Sequence, residues 1–316
     1  MKTLYILILL SINIFIVNGS MPGDTTCVET DITIRTGTGE LYGTLTIPAK
    51  PGRMPVALII AGSGPTDRDG NNPVMKNNSL KILASELSKN GIASLRYDKR
   101  GIAASKAAVT SEKDLRFDDY VSDAREWIQL LNRDKRFSEV IVIGHSEGSL
   151  IGMLAGTSAD KFISIAGFGQ SADIILKEQL SSQPKMVQDL SFPIIDSLKN
   201  GNIVKNVPPV LNSLFRHSVQ PYMISWFKYD PQDEIRKLSL PVLILQGTND
   251  IQVGVENARQ LSDANPDAEL LLITNMNHIF RITEGDRMAN LATYSDTNLP
   301  VSEELVKTVT GFILRD

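Results

Sequence analysis

The sequence predicts an α/β protein: a mostly parallel sheet flanked by helices, carrying an inserted helical cap. Three observations predict it. Continuous apolar runs at 55–61, 92–96, 139–143, 162–166, 241–245 and 269–273 have strand length and lack alternation, as strands buried on both faces do. Stretches with apolar residues at helical spacing separate them, which is the rhythm of βαβ units. Between Gly169 and Leu238 the rhythm stops, and no strand-like run occurs.

The elements follow in order. Lys2 and the apolar stretch 4–17, followed by the small residues Asn18-Gly19-Ser20, read as a secretory signal peptide over 1–19. The alternative, a retained anchor, is disfavoured because the stretch at 1.5 Å per residue reaches only about 21 Å against a hydrocarbon core of about 30 Å. The expectation is a secreted or periplasmic protein with no stable membrane association after cleavage. Cys27 follows Asp24-Thr25-Thr26 rather than small and aliphatic residues, which argues against a lipid anchor there.

Residues 31–35 alternate, Gly37-Thr38-Gly39 turns, and 41–47 alternates again, so an antiparallel hairpin should edge the sheet. Helices are expected at 79–90, ended by Gly91, at 118–132 on the stripe Val121, Ala124, Ile128 and Leu131, and at 302–314. In the insertion, helical stretches are divided by Pro184, Pro193, Pro208-Pro209, Pro221 and Pro231. The chain thus divides into a core of 30–168 and 238–316 and a cap of 169–237.

Composition narrows the function. With 42% hydrophobic and 22% charged residues the chain can bury a large core. A net charge of −4 gives no footprint for a phosphate backbone, so no nucleic-acid partner is expected. The lone Cys27 allows no internal disulfide and no thiolate cage, and no metal site is assigned. Asp67-Arg68-Asp69-Gly70-Asn71 resembles the start of a calcium loop. Its sixth position is Asn72 rather than Gly and its twelfth Asn78 rather than Glu, so it is not one. Gly37, Gly39 and Gly43 lack the helix and acidic partner of a dinucleotide fingerprint, and no cofactor is assigned.

The chemistry lies in Gly144-His145-Ser146-Glu147-Gly148, set between a buried strand and a helix. A bare G-x-S-x-G arises by chance about once in ten chains of this length, but strand, motif and helix together form a nucleophile elbow. Serine needs a base, which in this fold follows in the chain order nucleophile, acid, histidine. Of three histidines, His145 lies in the elbow and His217 in the insertion, upstream of any acid, which leaves His278 beyond the last strand. Asp250 ends the penultimate strand segment and is preferred as the acid over Asp233, Glu234 and Asp263, which fall in helical or surface stretches. The oxyanion donors are read as the backbone N–H groups of Glu147 and Ser63, with Gly64 next.

In these residues the chain resembles the serine α/β-hydrolases, within them the bacterial esterases and acyl-peptide-hydrolase-like proteins related to the EstD type. The likeness rests on AGSGPTDRDGN at 61–71, LRYDKRG at 95–101, GHSEGS at 144–149, QGTNDIQV at 246–253 and NMNHIF at 275–280. It implies the same catalytic set, Ser146, Asp250 and His278, and an oxyanion loop at Gly62 to Gly64. Ala103 departs from the pattern, since relatives usually carry Gly there.

The function expected is hydrolysis of a small ester or acylated substrate through an acyl-enzyme. A serine peptidase or acylaminoacyl hydrolase, thioester cleavage and a catalytically dead binding module are the alternatives. The last is disfavoured because no triad member is missing. Met186, Phe192, Phe215, Tyr222, Met223, Trp226, Phe227 and Tyr229 in the cap suggest an enclosed apolar pocket, and with it short acyl chains.

Overall fold

The computed structural model describes residues 27–315; the signal peptide expected at 1–19 lies outside them. In chain order the strands are β1 (Cys27–Thr36), β2 (Gly39–Pro48) and β3 (Met54–Ile60), then helix α1 (Ser79–Lys89), β4 (Ala93–Tyr97) and α2 (Phe117–Arg133). There follow β5 (Phe137–His145), α3 (Glu147–Ala155) and β6 (Lys161–Ile165). The inserted region holds α4 (Ala172–Leu180), α5 (Lys185–Lys199), α6 (Asn212–Phe215), α7 (Gln220–Trp226) and α8 (Pro231–Ile235). The chain closes with β7 (Val242–Gly247), α9 (Val255–Ala264), β8 (Glu269–Ile273), α10 (Arg287–Ala292) and α11 (Glu303–Ile313).

One eight-stranded sheet runs in the order β1-β2-β4-β3-β5-β6-β7-β8. The β1–β2 hairpin and its joint to β4 are antiparallel, and every pairing from β4 to β8 is parallel. This is the α/β-hydrolase arrangement the sequence predicts.

The continuous apolar runs have the expected cause. Along β3, Val56, Leu58 and Ile60 enter one core, with α2 and α3, while Ala57 and Ile59 enter the other, with α1 and α11. Both faces are covered, so alternation has no polar side to show. Strand β8 is the exception: its residues run from exposed to half-buried until Ile273. It is the sheet edge, where only one neighbour shields it.

One local reading is corrected. Pro193 does not divide the insertion but lies inside α5, whose buried face of Ser191, Ile194, Ile195 and Leu198 holds the helix across the missing N–H. Pro184 precedes α5 and Pro231 opens α8, where a proline costs no helical hydrogen bond. The Ala103 departure is absorbed by the backbone, because Ala103 takes the left-handed φ of 42° that a glycine would adopt.

The functional consequence of this topology is convergence. Ala61 onward leaves β3, Ser146 leaves β5, Asp250 follows β7 by three residues and His278 follows β8 by five, all at the carboxyl edge of the parallel strands. Ligand sites of open α/β sheets lie at that edge.

Candidate active site

Ser146 stands between the last residue of β5 and the first of α3 with φ 55° and ψ −122°. An L-residue is strained there, at an order of 1–3 kcal/mol, and such strain collects at functional turns. The Ser146 N–H is fixed by donation to the Ile165 carbonyl at 2.9 Å. The positive φ of the turn belongs to Ser146 itself and to neither flanking glycine. Gly144 and Gly148 are required by space: a Cβ on Gly144 would lie 2.4 Å from the Gly148 oxygen, and one on Gly148 2.3 Å from the Ile60 oxygen.

His278 and Asp250 are brought together as expected. The His278 Nδ1–H donates to Asp250 Oδ2 at 2.7 Å, and the carboxylate is wholly buried. Its other oxygen accepts the Gln252 and Val253 amides at 2.8 and 2.9 Å, and Gln246 Nε2 adds a bond to Oδ2 at 3.1 Å. Burial would raise the Asp250 carboxyl, but the facing His278 and these amides outweigh it and hold the group below its usual range. Asp250 therefore stays ionised, keeps the His278 proton on Nδ1 and leaves Nε2 as an acceptor.

The competing residues are placed elsewhere. Asp233 pairs with Arg236 and Glu234 with Lys237, Asp263 lies exposed on α9, and His217 bonds the Lys205 carbonyl. His145, set aside in the sequence, has a part in the site. Its ring lies 4.7 Å from that of His278 and its Nε2 bonds the His278 carbonyl at 2.9 Å. Burial and the neighbouring His278 depress the His145 imidazole to about 3, so it is neutral and donates from Nε2.

The loop after β3 meets the elbow directly: a Cβ on Gly62 would lie 3.1 Å from the Ser146 Cβ. Among the described residues, neither the Ser63 nor the Glu147 backbone N–H donates to another protein group. The Glu147 side chain is buried, accepting from Lys99 Nζ on Oε1 and from the Tyr222 hydroxyl on Oε2, both at 2.8 Å. Lys99 Nζ also donates to the Gly62 carbonyl at 2.6 Å. Burial and this carboxylate push the Tyr222 hydroxyl well above its ordinary range, which keeps it a donor. Sequence reasoning missed His145, Lys99 and Gln246, and it read Tyr222 as pocket lining rather than as a partner of Glu147. The one signal available for Lys99 was its place in the LRYDKRG block.

Most aromatic residues of the insertion are core rather than pocket wall. Phe117 of α2 stacks on Trp226 at 5.9 Å between centroids, and Tyr120 meets Tyr222 edge-on at 5.5 Å. Phe215, Met223 and Phe227 are buried too, while Met186 is 66% exposed. Cavities of about 440 and 490 Å³ lie beside α1 and α11 and beside Lys205 and His217, and neither is lined by Ser146, Asp250 or His278. The Asp67 loop is held internally, with Asp67 Oδ1 accepting the Asp69 and Asn71 amides and Asp69 paired with Arg96.

The sheet topology and the serine elbow define an α/β-hydrolase fold, and the proteins this chain is similar to are serine α/β-hydrolases. Residues 77–204 match the family described as serine aminopeptidase, S33. The chain is 28% identical over 273 residues to esterase EstD of Thermotoga maritima, covering 81% of this chain and 61% of that protein. It thus spans about three fifths of that curated relative. Est1E from Butyrivibrio proteoclasticus superposes with a TM-score of 0.58 at 17% identity, over 90% of this chain and 99% of that one. The Pyrococcus furiosus esterase Pf2001 gives a TM-score of 0.58 at 16% identity, over 94% of each chain.

Proposed function

We propose that this chain hydrolyses carboxylic esters with short acyl groups through an acyl-enzyme, with Ser146 as nucleophile, His278 as base and Asp250 as its orienting acid. One observation carries the reading: a strained serine elbow whose preceding residue, His145, bonds the backbone of a histidine held 2.7 Å from a buried carboxylate. In the proposed reaction Ser146 Oγ attacks the carbonyl carbon while its proton passes to His278 Nε2. The Ser63 and Glu147 amides receive the oxyanion. Collapse expels the alcohol with the proton from His278. Water then attacks the acyl-enzyme by the same route and releases the acid.

A peptidase reading has support in the S33 match over 77–204. An aminopeptidase needs an acidic group for the substrate ammonium. Glu147, beside the nucleophile, has both oxygens engaged by Lys99 and Tyr222, which favours the ester. Residues 169–237 serve in this reading as a cap, since Tyr222 of α7 touches the first residue of α3 beside Ser146. The N-terminal segment directs export. The test is kcat/KM on p-nitrophenyl acetate and butyrate against aminoacyl p-nitroanilides, with Ser146→Ala as blank. The reading predicts ester turnover that vanishes in the blank; anilide turnover exceeding ester turnover would assign a peptidase.

A further inference from the structure

We propose that Lys99 is a positioning residue for the oxyanion hole, with the Glu147 carboxylate as its counter-charge and Tyr222 as the tie from that pair to the helical insertion. The proposal rests on the reading above, that the Ser63 and Glu147 amides receive the oxyanion.

In a trans peptide the carbonyl of one residue and the N–H of the next point in opposite directions. The Gly62 carbonyl is held by Lys99 Nζ at 2.6 Å, so the Ser63 N–H is held facing the other way. The same ammonium bonds Glu147 Oε1 at 2.8 Å, and Glu147 carries the second proposed donor on its own backbone. One buried cation therefore ties together the two segments whose amides must aim at a single oxygen. Gly62 already lies against the Ser146 Cβ, so a small rotation of this peptide would alter the alignment of donor and nucleophile.

The energetics fit positioning better than stabilisation. Lys99 and Glu147 are 1% and 2% exposed at the side chain, and desolvating two charges consumes most of what their attraction returns. An apolar pair of the same volume would hold the fold as well. Unlike an apolar pair, the charged pair supplies a directed donor to the Gly62 carbonyl and leaves the second carboxylate oxygen for the Tyr222 hydroxyl at 2.8 Å. The Tyr120 ring covers the ammonium, with its centroid 5.0 Å from Nζ, and water is excluded. Tyr222 lies on α7, so displacement of the insertion would pull on the carboxylate that anchors Lys99.

The test uses the full chain. Lys99→Met alone would strand a buried carboxylate, so the main variant is Lys99→Met with Glu147→Gln, which removes both charges and keeps the Glu147 amide. Lys161→Met is the matched control: Lys161 is a buried lysine bonded to the Ile313 and Arg315 carbonyls at the far end of β6. For p-nitrophenyl acetate, the double variant should lose about 10²-fold in kcat, the scale of one oxyanion donor, with KM within about threefold. The affinity for an aryl trifluoromethyl ketone, which adds to serine as a tetrahedral oxyanion, should fall by the same factor. Lys161→Met should lower Tm and leave kcat and the inhibitor constant in place.

Tyr222→Phe removes one hydrogen bond without stranding a charge and reads the same mechanism if the double variant fails to fold. It should cost about three- to tenfold in kcat, with inhibitor affinity moving in step. The proposal is overturned if a folded double variant keeps kcat within threefold, if kcat falls while inhibitor affinity holds, or, where the double variant does not fold, if Tyr222→Phe changes neither. Those outcomes leave the ester reading intact, because the wild-type chain still turns over ester. A wild-type chain that neither hydrolyses ester nor is labelled on Ser146 by a fluorophosphonate refutes that reading, and the positioning proposal with it.

Discussion

His145 reaches from the elbow to the carbonyl of His278, 2.9 Å from its Nε2, so the residue before the proposed nucleophile fixes the backbone of the proposed base. Burial and the adjacent His278 depress the imidazole to about 3, against 6.5 when unfolded. Below pH 6.5 the unfolded chain takes up a proton that the native chain refuses, so stability falls as pH drops from 6.5 toward 3. Urea midpoints between pH 7 and pH 4 should decline more steeply in the wild type than in His145→Gln. Parallel slopes would show that His145 is not held neutral.

Ser146→Ala should lower kcat by about 10⁴-fold or more while the chain stays folded, since only one oxygen is removed. Ser146→Gly should be equally inactive but more stable than the alanine variant by about 1 kcal/mol, because glycine accepts φ 55° without strain. Equal Tm values for the two would deny that the elbow is strained.

Asp250→Asn should cost about 10⁴-fold in kcat, because an amide stabilises the wrong His278 tautomer. Asp233→Asn, which breaks only an exposed pair with Arg236, should change kcat by less than about twofold. The reverse order would move the acid.

Acyl preference should peak between acetate and roughly hexanoate, with each methylene worth up to about 0.8 kcal/mol until the space beside Ser146 is filled. The check is kcat/KM on p-nitrophenyl esters from two to sixteen carbons. A maximum at twelve or beyond would mean a lipase-like groove.

Export should be visible as a new N-terminus near Ser20 when the full sequence is produced in a bacterial host. N-terminal sequencing of the soluble protein decides it, and an intact Met1 would rule out cleavage.

The sequence by itself determined the strands, the limits of α1, α2 and α11 and the order Ser146, Asp250, His278, because each is written in neighbouring residues. Period, turn chemistry and a strand-motif-helix junction are local signals. The tertiary structure decided which polar residues support that set. His145 and the His278 carbonyl are 133 positions apart, Lys99 and Glu147 48, and Glu147 and Tyr222 75. A lysine and a glutamate read in sequence as surface charge, since either alone in an apolar interior would be costly. Only folding, by bringing two opposite charges and a phenol to one point beneath Gly62, makes their burial tolerable. That balance is a property of three separated segments and of no single one.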